Sequence, residues 1–232
     1  MKHIRLQECD STQIYLKDCL NSSESSESLC ISTLNQTAGR GRNDNSWSTF
    51  GNSLAFSFSY AVPRSITLAP LFFGLCTARW LDKKYCSNIL LKWPNDLFVG
   101  NSKVGGILCH LQDQTLIVGV GINLGPRAKL QDENFKFRPG KIIQREVSDD
   151  ERHEISFEIA KFIESSSFDD RKIVQGWNSK CVHLDKNIKF NNDTEIIEGN
   201  FKGISSIGEA IVETSSGKEQ KFISGSIDWI RT

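Results

Sequence analysis

Leu90-Leu91-Lys92-Trp93-Pro94-Asn95-Asp96-Leu97-Phe98-Val99-Gly100-Asn101-Ser102-Lys103-Val104-Gly105-Gly106-Ile107-Leu108 is the stretch whose reading decides the fold. It reads as three short apolar strands broken by a Trp-Pro-Asn-Asp corner and a Gly-Asn-Ser turn. Lysine, Asn and Asp are depleted from strands and proline cannot donate to a ladder, so this is not the pattern of a plain core sheet. Pro94 pushes Trp93 toward extended geometry, and Asn95-Asp96 supplies turn chemistry. Gly100-Asn101-Ser102 turns the chain again, so Lys103 begins a strand opposite the one that carries Asp96. Gly105-Gly106 removes side chains where another backbone or a ligand must come close. The reading is a hairpin-built pocket with cationic walls and a glycine floor. Taken singly, Lys92 and Lys103 also fit edge-strand lysines that block aggregation, and Asp96 fits a plain turn residue.

Upstream, Asp10-Ser11-Thr12 precedes Gln13–Leu20, which reads as a short helix with Ser11 or Thr12 as its N-cap. Exposed amides at such a helix start can also bind an anion. Asn21–Ser28 is a Ser/Glu-rich loop, and Leu29–Thr33 a strand. Gln36-Thr37-Ala38-Gly39-Arg40-Gly41-Arg42-Asn43-Asp44-Asn45-Ser46-Trp47 has no hydrophobic period before Trp47. Glycine alternating with arginine makes a loop whose amides approach oxygens closely and whose guanidinium forks suit phosphate or carboxylate. A solvated loop is the alternative. Leu54–Tyr60 alternates large residues with small or polar ones, a half-buried strand. Thr67 to Tyr85 is predicted helical, with Leu71, Leu75, Ala78 and Leu81 on one side and Pro70 in the first turn.

Downstream, Ile107–Leu111, a Gln112–Gln114 turn and Thr115–Asn123 continue an antiparallel meander that ends in Gly-Ile-Asn at a sheet edge. Residues 125–148 read as an irregular connection. Ile155, Ile159 and Phe162 mark one amphipathic helix, and Ile173, Val174 and Trp177 a second. From Val182 short β-prone runs (Asn187–Phe190, Glu195–Ile204, Glu209–Glu213, Lys221–Ile223, Ile227–Ile230) alternate with turns, which predicts a small β-module. The expected domains are residues 1–181 and 182–232.

Composition narrows the function classes. The 232 residues carry 28 basic and 28 acidic side chains, so the molecule as a whole offers no general attraction for nucleic acid or anionic membrane. No window reaches the length of a membrane span. Met1–Gln7 lacks the apolar core of a signal peptide, so the expected location is cytoplasmic. Seven scattered cysteines without a C-x-x-C point to free thiols rather than zinc or a disulfide framework. No Ser-His-Asp or Cys-His arrangement suggests a nucleophile.

Read together, Asp10-Ser11-Thr12, Gln36, Ala38-Gly39-Arg40-Gly41-Arg42, Trp47, Lys92 to Asp96, Lys103 to Leu108 and Gly121-Ile122-Asn123 resemble the bacterial-type biotin protein ligases, in the family's order. The resemblance implies an α+β fold: a mixed, largely antiparallel central sheet flanked by helices, class II synthetase-like, plus a small C-terminal SH3-like β-barrel. It implies that biotin and ATP, with Mg2+, form biotinyl-5′-adenylate, and that biotin then passes to a lysine of the biotin carboxyl carrier domain of a biotin-dependent carboxylase. Joining a carboxylate to an α-phosphate brings two anions together, so the protein must supply cations and positioning rather than a nucleophile.

By the same resemblance Ser11, Thr12, Gln13 and Gln36 would line the biotin site. The backbone at Arg40, Gly41 and Arg42 would contact the ureido ring or carboxylate, and Gly105 and Gly106 would admit the biotin chain. Lys103 would contact the biotin carboxylate and α-phosphate as the first catalytic residue, with Arg42 retaining the adenylate and Lys92 meeting phosphate oxygens. Asn95 and Asn123 would meet the nucleotide, Trp47 would pack on the ligands, and Asp96 would hold the metal or the polar network. Two departures stand out: Asn43–Ser46 replaces further basic residues, and Gln13 replaces an asparagine of similar bonding capacity. Nine residues before Asp10 leave no room for a winged-helix domain, so operator binding is not expected. A homodimer through the edge near Asn123 stays open. The alternatives are a lipoate or octanoate ligase or transferase acting on lipoyl domains, and a non-catalytic biotin binder.

Overall fold

The computed structural model describes residues 1–22, 27–42, 45–47, 51–126, 137–192 and 194–229. A seven-stranded sheet is built from β1 (Lys2–Cys9), β2 (Leu29–Gln36), β3 (Ser53–Ala61), β4 (Leu90–Lys92), β5 (Asp96–Val99), β6 (Ser102–Gln112) and β7 (Thr115–Asn123). Its order is β1-β2-β3-β7-β6-β5-β4, with β1 and β2 parallel and every other pair antiparallel.

The period-2 pattern of β3 decides which face is core. Leu54, Phe56 and Phe58 join β7's Val118, Val120 and Ile122 under α2 (Ala69–Tyr85) and α3 (Asp149–Glu164). Ser57, Ser59 and Gly119 fall on the opposite face, where α1 (Thr12–Ser22) packs Leu16 against Leu29, Ile31 and Ile117. One face of the sheet is thus a large apolar core. The other is only partly covered, by α1, and its small residues leave a trough.

After α4 (Asp170–Ser179) come β8 (Asn187–Asn191), β9 (Ile196–Ile204), β10 (Ala210–Thr214), β11 (Glu219–Phe222) and β12 (Ser226–Trp229). They form an antiparallel sheet of order β11-β10-β9-β8-β12, the small β-module expected after Val182. Its core residues Ile188, Phe190, Phe201 and Val212 are continuous with the first core. The joint runs through the corner of the opening stretch. Trp93 is 1% exposed, lies 5.6 Å from the Phe190 ring and donates from Nε1 to the Gly208 carbonyl at 3.1 Å.

Two expectations are corrected. Thr115–Asn123 does not lie at a sheet edge: β7 is flanked by β3 and β6, so a dimer through an edge near Asn123 has no free edge there. The outer strands are β1 and β4, and β4 is closed off by residues 180–182, with Leu91 N–H on the Lys180 carbonyl at 2.8 Å. Strand β1 was not foreseen, because its residues are at most partly buried, Ile4 and Leu6 against the α1 cluster and His3 against Phe157 of α3, and the run otherwise reads as polar. Helix α1 continues through Ser22, into the predicted Ser/Glu-rich loop, whose residues 23–26 lie outside the described residues, as does Ile230. All seven cysteines are free thiols, of which Cys30 and Cys76 are buried and Cys86 is exposed.

Candidate active site

Register explains the trough. Ala55 pairs with Gly121, Gly121 with Gly106, Gly106 with Asp96, and Asp96 with Lys92, so one row crosses five strands. The neighbouring row is Ser57–Gly119–Leu108. Adjacent strands lie about 4.8 Å apart, so the row from β3 to β5 spans about 14 Å. Small residues in the middle keep it open, and a cavity of about 510 Å³ lies along it.

The β3 end is polar and uncharged. Thr12 N–H and its hydroxyl reach Gln36 Oε1 at 2.9 and 3.1 Å, and the same hydroxyl lies 2.7 Å from Ser57 Oγ. Ser11, Thr12 and Ser57 are almost fully buried. Gln13 crosses to the sheet and donates from Nε2 to the Leu108 carbonyl at 2.9 Å. A Cβ on Gly119 would come within 2.9 Å of that amide, so Gly119 is bare because Gln13 lies on it.

The other end is cationic. Asp96 stands between Lys103 Nζ at 2.5 Å and Lys92 Nζ at 3.8 Å. Lys92 is 4% exposed, and the Phe137 ring lies 4.9 Å from its ammonium. Two ammonium groups, one buried and one half-buried, thus face the Asp96 carboxylate, and an anionic ligand can compete with it for them. Behind Lys92, His183 is held neutral, its pKa pushed well below 6.5 by burial and then by the Lys92 and Lys186 charges.

The arginine loop forms the roof. An Arg40–Ser46 bridge closes it, Trp47 N–H donates to the Gly39 carbonyl at 2.8 Å, and the Trp47 ring lies on Gly121. Arg42 Nη1 reaches the Gly225 carbonyl of the β-module at 3.4 Å. Of the loop residues that depart from the basic pattern, Asn43 and Asp44 lie outside the described residues. Trp47 Nε1 and Asn123 Oδ1 are buried polar atoms without a partner among the described residues, which a bound polar ligand would relieve.

Every residue proposed from the sequence lines this cavity except Gly105 and Asn123. A Cβ on Gly105 would strike the Gly121 carbonyl at 2.6 Å and the Leu97 side chain at 3.0 Å, so its bareness serves strand packing. The glycine floor is therefore Gly106, Gly119 and Gly121. Asn123 sits at the end of β7 and donates to the Lys103 carbonyl at 3.4 Å, which ties it to the lysine's main chain. Asp96 does not fit a metal ligand: both its oxygens face ammonium groups, and no cluster of three potential ligands occurs among the described residues. Asn95 likewise turns its amide to the Ile107 carbonyl at 2.7 Å and holds the corner.

Sequence reasoning missed Ser57, Gly119, Gly121, Phe137, Gly225 and Ser226. The glycines carried a signal, since Gly119 and Gly121 fall on one face of Thr115–Asn123 at period 2. Phe137 in a polar connection, and Gly225-Ser226 in the other module, carried none.

The sequence matches the model of the biotin/lipoate A/B protein ligase family over residues 5–126, and that of the biotin protein ligase C terminal domain over residues 183–229. It is 35% identical over 127 residues to the bifunctional ligase/repressor BirA of Escherichia coli, which covers 51% of this chain and 39% of that protein. Biotin--protein ligase 2 of Arabidopsis thaliana is 34% identical over 107 residues, 42% of this chain and 32% of its own. The matched part thus spans well under half the length of these curated relatives. The biotin protein ligase of Aquifex aeolicus, solved in complex with biotin and ATP, superimposes with a TM-score of 0.79 at 28% identity, over 100% of this chain and 99% of that one. A family model covering more than half of the sequence, including most of the cavity, makes the chain a member of the biotin/lipoate A/B protein ligase family.

Proposed function

We propose that the chain is a biotin protein ligase: it joins biotin to MgATP as biotinyl-5′-adenylate, releases pyrophosphate, and passes biotin to a lysine of a biotin carboxyl carrier domain. The observation that carries this reading is one trough with an uncharged polar end at Thr12, Gln36 and Ser57 and a cationic end at Lys92 and Lys103. Biotin has the matching asymmetry, a ureido ring with donors and an acceptor at one end and a carboxylate at the other. The dithiolane of lipoate offers no such groups and would gain no hydrogen bond from the Thr12, Gln36 and Ser57 cluster.

In the first step a biotin carboxylate oxygen attacks the α-phosphorus, and the bond from that phosphorus to the bridging oxygen of pyrophosphate breaks. Lys103 is placed to offset the charge gathered at that junction, and an arriving anion competes with Asp96 for it. Asp96 then keeps Lys92 oriented. In the second step the acceptor amine attacks the acyl carbon and AMP leaves. The metal belongs to the MgATP substrate, and no step is routed through Asp96.

ATP–pyrophosphate exchange tests the reading, with biotin and lipoate supplied separately. Exchange driven by biotin alone is expected. Exchange with lipoate and none with biotin would assign the chain to lipoyl chemistry, and biotin binding without exchange would make it a binder.

A further inference from the structure

Asn52 lies at the junction of the two long connections that frame the trough. It is the last residue before β3, so it ends the connection that carries Arg40–Trp47, and it is 8% exposed. Its polar groups all turn to the other connection, which runs from β7 to α3. Its main-chain carbonyl accepts from the N–H groups of Leu124 and Gly125, both at 3.1 Å. Its main-chain N–H and Nδ2 meet the Pro126 carbonyl at 3.5 and 3.3 Å. Nδ2 also donates to the Glu146 carboxylate, and Oδ1 accepts from Val147 N–H at 2.5 Å. One buried amide therefore pins both the start and the end of that connection. Gly125 is bare to allow it, since a Cβ there would lie 2.9 Å from the Asn52 Cβ.

The pinned ends lead to the cationic pair. The Leu124 carbonyl accepts from Ile142 and Ile143 at 3.0 and 2.8 Å. Gly140 N–H donates to the Lys103 carbonyl at 2.7 Å, and Lys103 N–H donates to the Arg138 carbonyl at 3.0 Å. Phe137 lies against Lys92. Residues 137–143 thus brace the main chain of one cation and the ammonium of the other; they hang from Leu124, which the Asn52 main chain holds, while the Asn52 side chain fixes Pro126 and Val147 on either side of them.

We infer that Asn52 is a positioning residue for the nucleotide half of the reaction, setting Lys103 and Lys92 through residues 137–143. It does not line the cavity. The inference rests on the ligase reading. It separates Asn52 from the uncharged end of the trough, where Thr12, Gln36 and Ser57 bond to one another.

Asn52→Asp removes both N–H donors of the amide and sets a second carboxylate against Glu146, whereas Asn52→Asp with Glu146→Gln restores a donor–acceptor pair of reversed polarity. In Asn52→Asp the KM for ATP in biotin-dependent ATP–pyrophosphate exchange should rise tenfold or more. The biotin Kd, measured by calorimetry without nucleotide, should stay within twofold of wild type. The paired variant should return the KM for ATP to within threefold. An unchanged KM in Asn52→Asp, a parallel loss of biotin binding, or no recovery in the pair would overturn the inference. If Asn52→Asp does not fold, Asn52→Ala, which leaves space rather than a repelling charge, is judged by the same split between ATP and biotin. Wild-type protein that binds no biotin would instead overturn the ligase reading, a result distinguishable before any variant is made.

Discussion

Replacing Gly121 with alanine should unseat the roof of the site while leaving the fold intact. The added Cβ would lie 2.4, 2.5 and 2.8 Å from three atoms of the Trp47 indole, where ordinary contacts need about 3.5–4 Å. Gly121 is held on both sides, by Ala55 of β3 and Gly106 of β6, so the strand cannot yield. The ring must move by about 1 Å or more, and it carries the loop closed by the Arg40–Ser46 bridge. A tryptophan buries about 150–250 Å². Uncovering about 100 Å² of it costs about 2.5 kcal/mol at 25 cal/mol per Å², or about 70-fold in the closed population of the loop. The assay is retention of radiolabelled biotinyl-adenylate after rapid gel filtration, together with the thermal midpoint. Adenylate should leave at least tenfold faster, with the midpoint moved by only a few degrees, because the loop lies outside both core clusters. Wild-type retention in Gly121→Ala would refute the idea that the indole seat on β7 closes the site. Gly119→Ala is the internal control: its Cβ meets the movable Gln13 amide, so a milder effect confined to biotin affinity is expected.

Three further outcomes follow from single contacts. Lys103→Ala should keep the fold and slow single-turnover adenylation by about 10²-fold, the scale of losing one transition-state donor; a near-normal rate would remove Lys103 from the reacting junction. Thr12→Val removes the hydroxyl's links to Gln36 and Ser57 at the uncharged end, while the main-chain N–H keeps its bond to Gln36, and should raise the biotin Kd by about tenfold with little change in the KM for ATP, a split that titration and exchange kinetics resolve. Stability should fall as pH drops from about 6.5 toward 4. His3 has its pKa lowered to about 4 by burial, then by Arg5 and His153, and it bonds Ser32, which also meets His153. The folded state keeps this imidazole neutral while the unfolded chain, near 6.5, takes up the proton, so its contribution is complete above 6.5 and lost through that window. For a half-buried ring the loss discounts to about 1–2 kcal/mol. Urea midpoints at pH 7 and 5 should show it in wild type and much less in His3→Gln; equal slopes would point to other groups.

How much of this was legible in the sequence divides by the range of the interaction. Local chemistry was readable: the Trp93–Asp96 corner, the strands around it and the alternation of Leu54–Tyr60 depend on neighbours a few residues away, although that strand is buried on both faces rather than half-buried. Ser148 and Asp169, which the sequence reading did not single out, cap α3 and α4 by accepting from Glu151 and Lys172 N–H. What failed was order across the sheet. Nothing in Thr115–Asn123 says that its second neighbour is β3, more than fifty residues upstream, and without that pairing the run reads as the end of a meander. The same blindness misplaced the glycine floor. Gly105 and Gly106 differ by one residue and therefore by one face, and only the register with β7 shows that Gly106 faces the trough while Gly105 meets a backbone carbonyl.

The opening stretch ends up serving two structures at once, and period 2 is the reason. Around the corner, Lys92 and Asp96 are cross-strand partners whose side chains share the face of the trough, so the ammonium and carboxylate meet there. Trp93, next in sequence to Lys92, takes the opposite side and pins the β-module through Gly208 and Phe190. A change at Trp93 would therefore reach the site without touching a ligand, by loosening the module that supplies Gly225 to Arg42. Trp93→Phe keeps much of the ring burial but leaves the Gly208 carbonyl without its donor, a loss of about 1–2 kcal/mol. The consequence for function should be read at Arg42: adenylate retention should weaken in Trp93→Phe while biotin affinity at Thr12 and Gln36 holds. Equal losses at both ends would mean that the corner supports the whole fold rather than the joint between the modules.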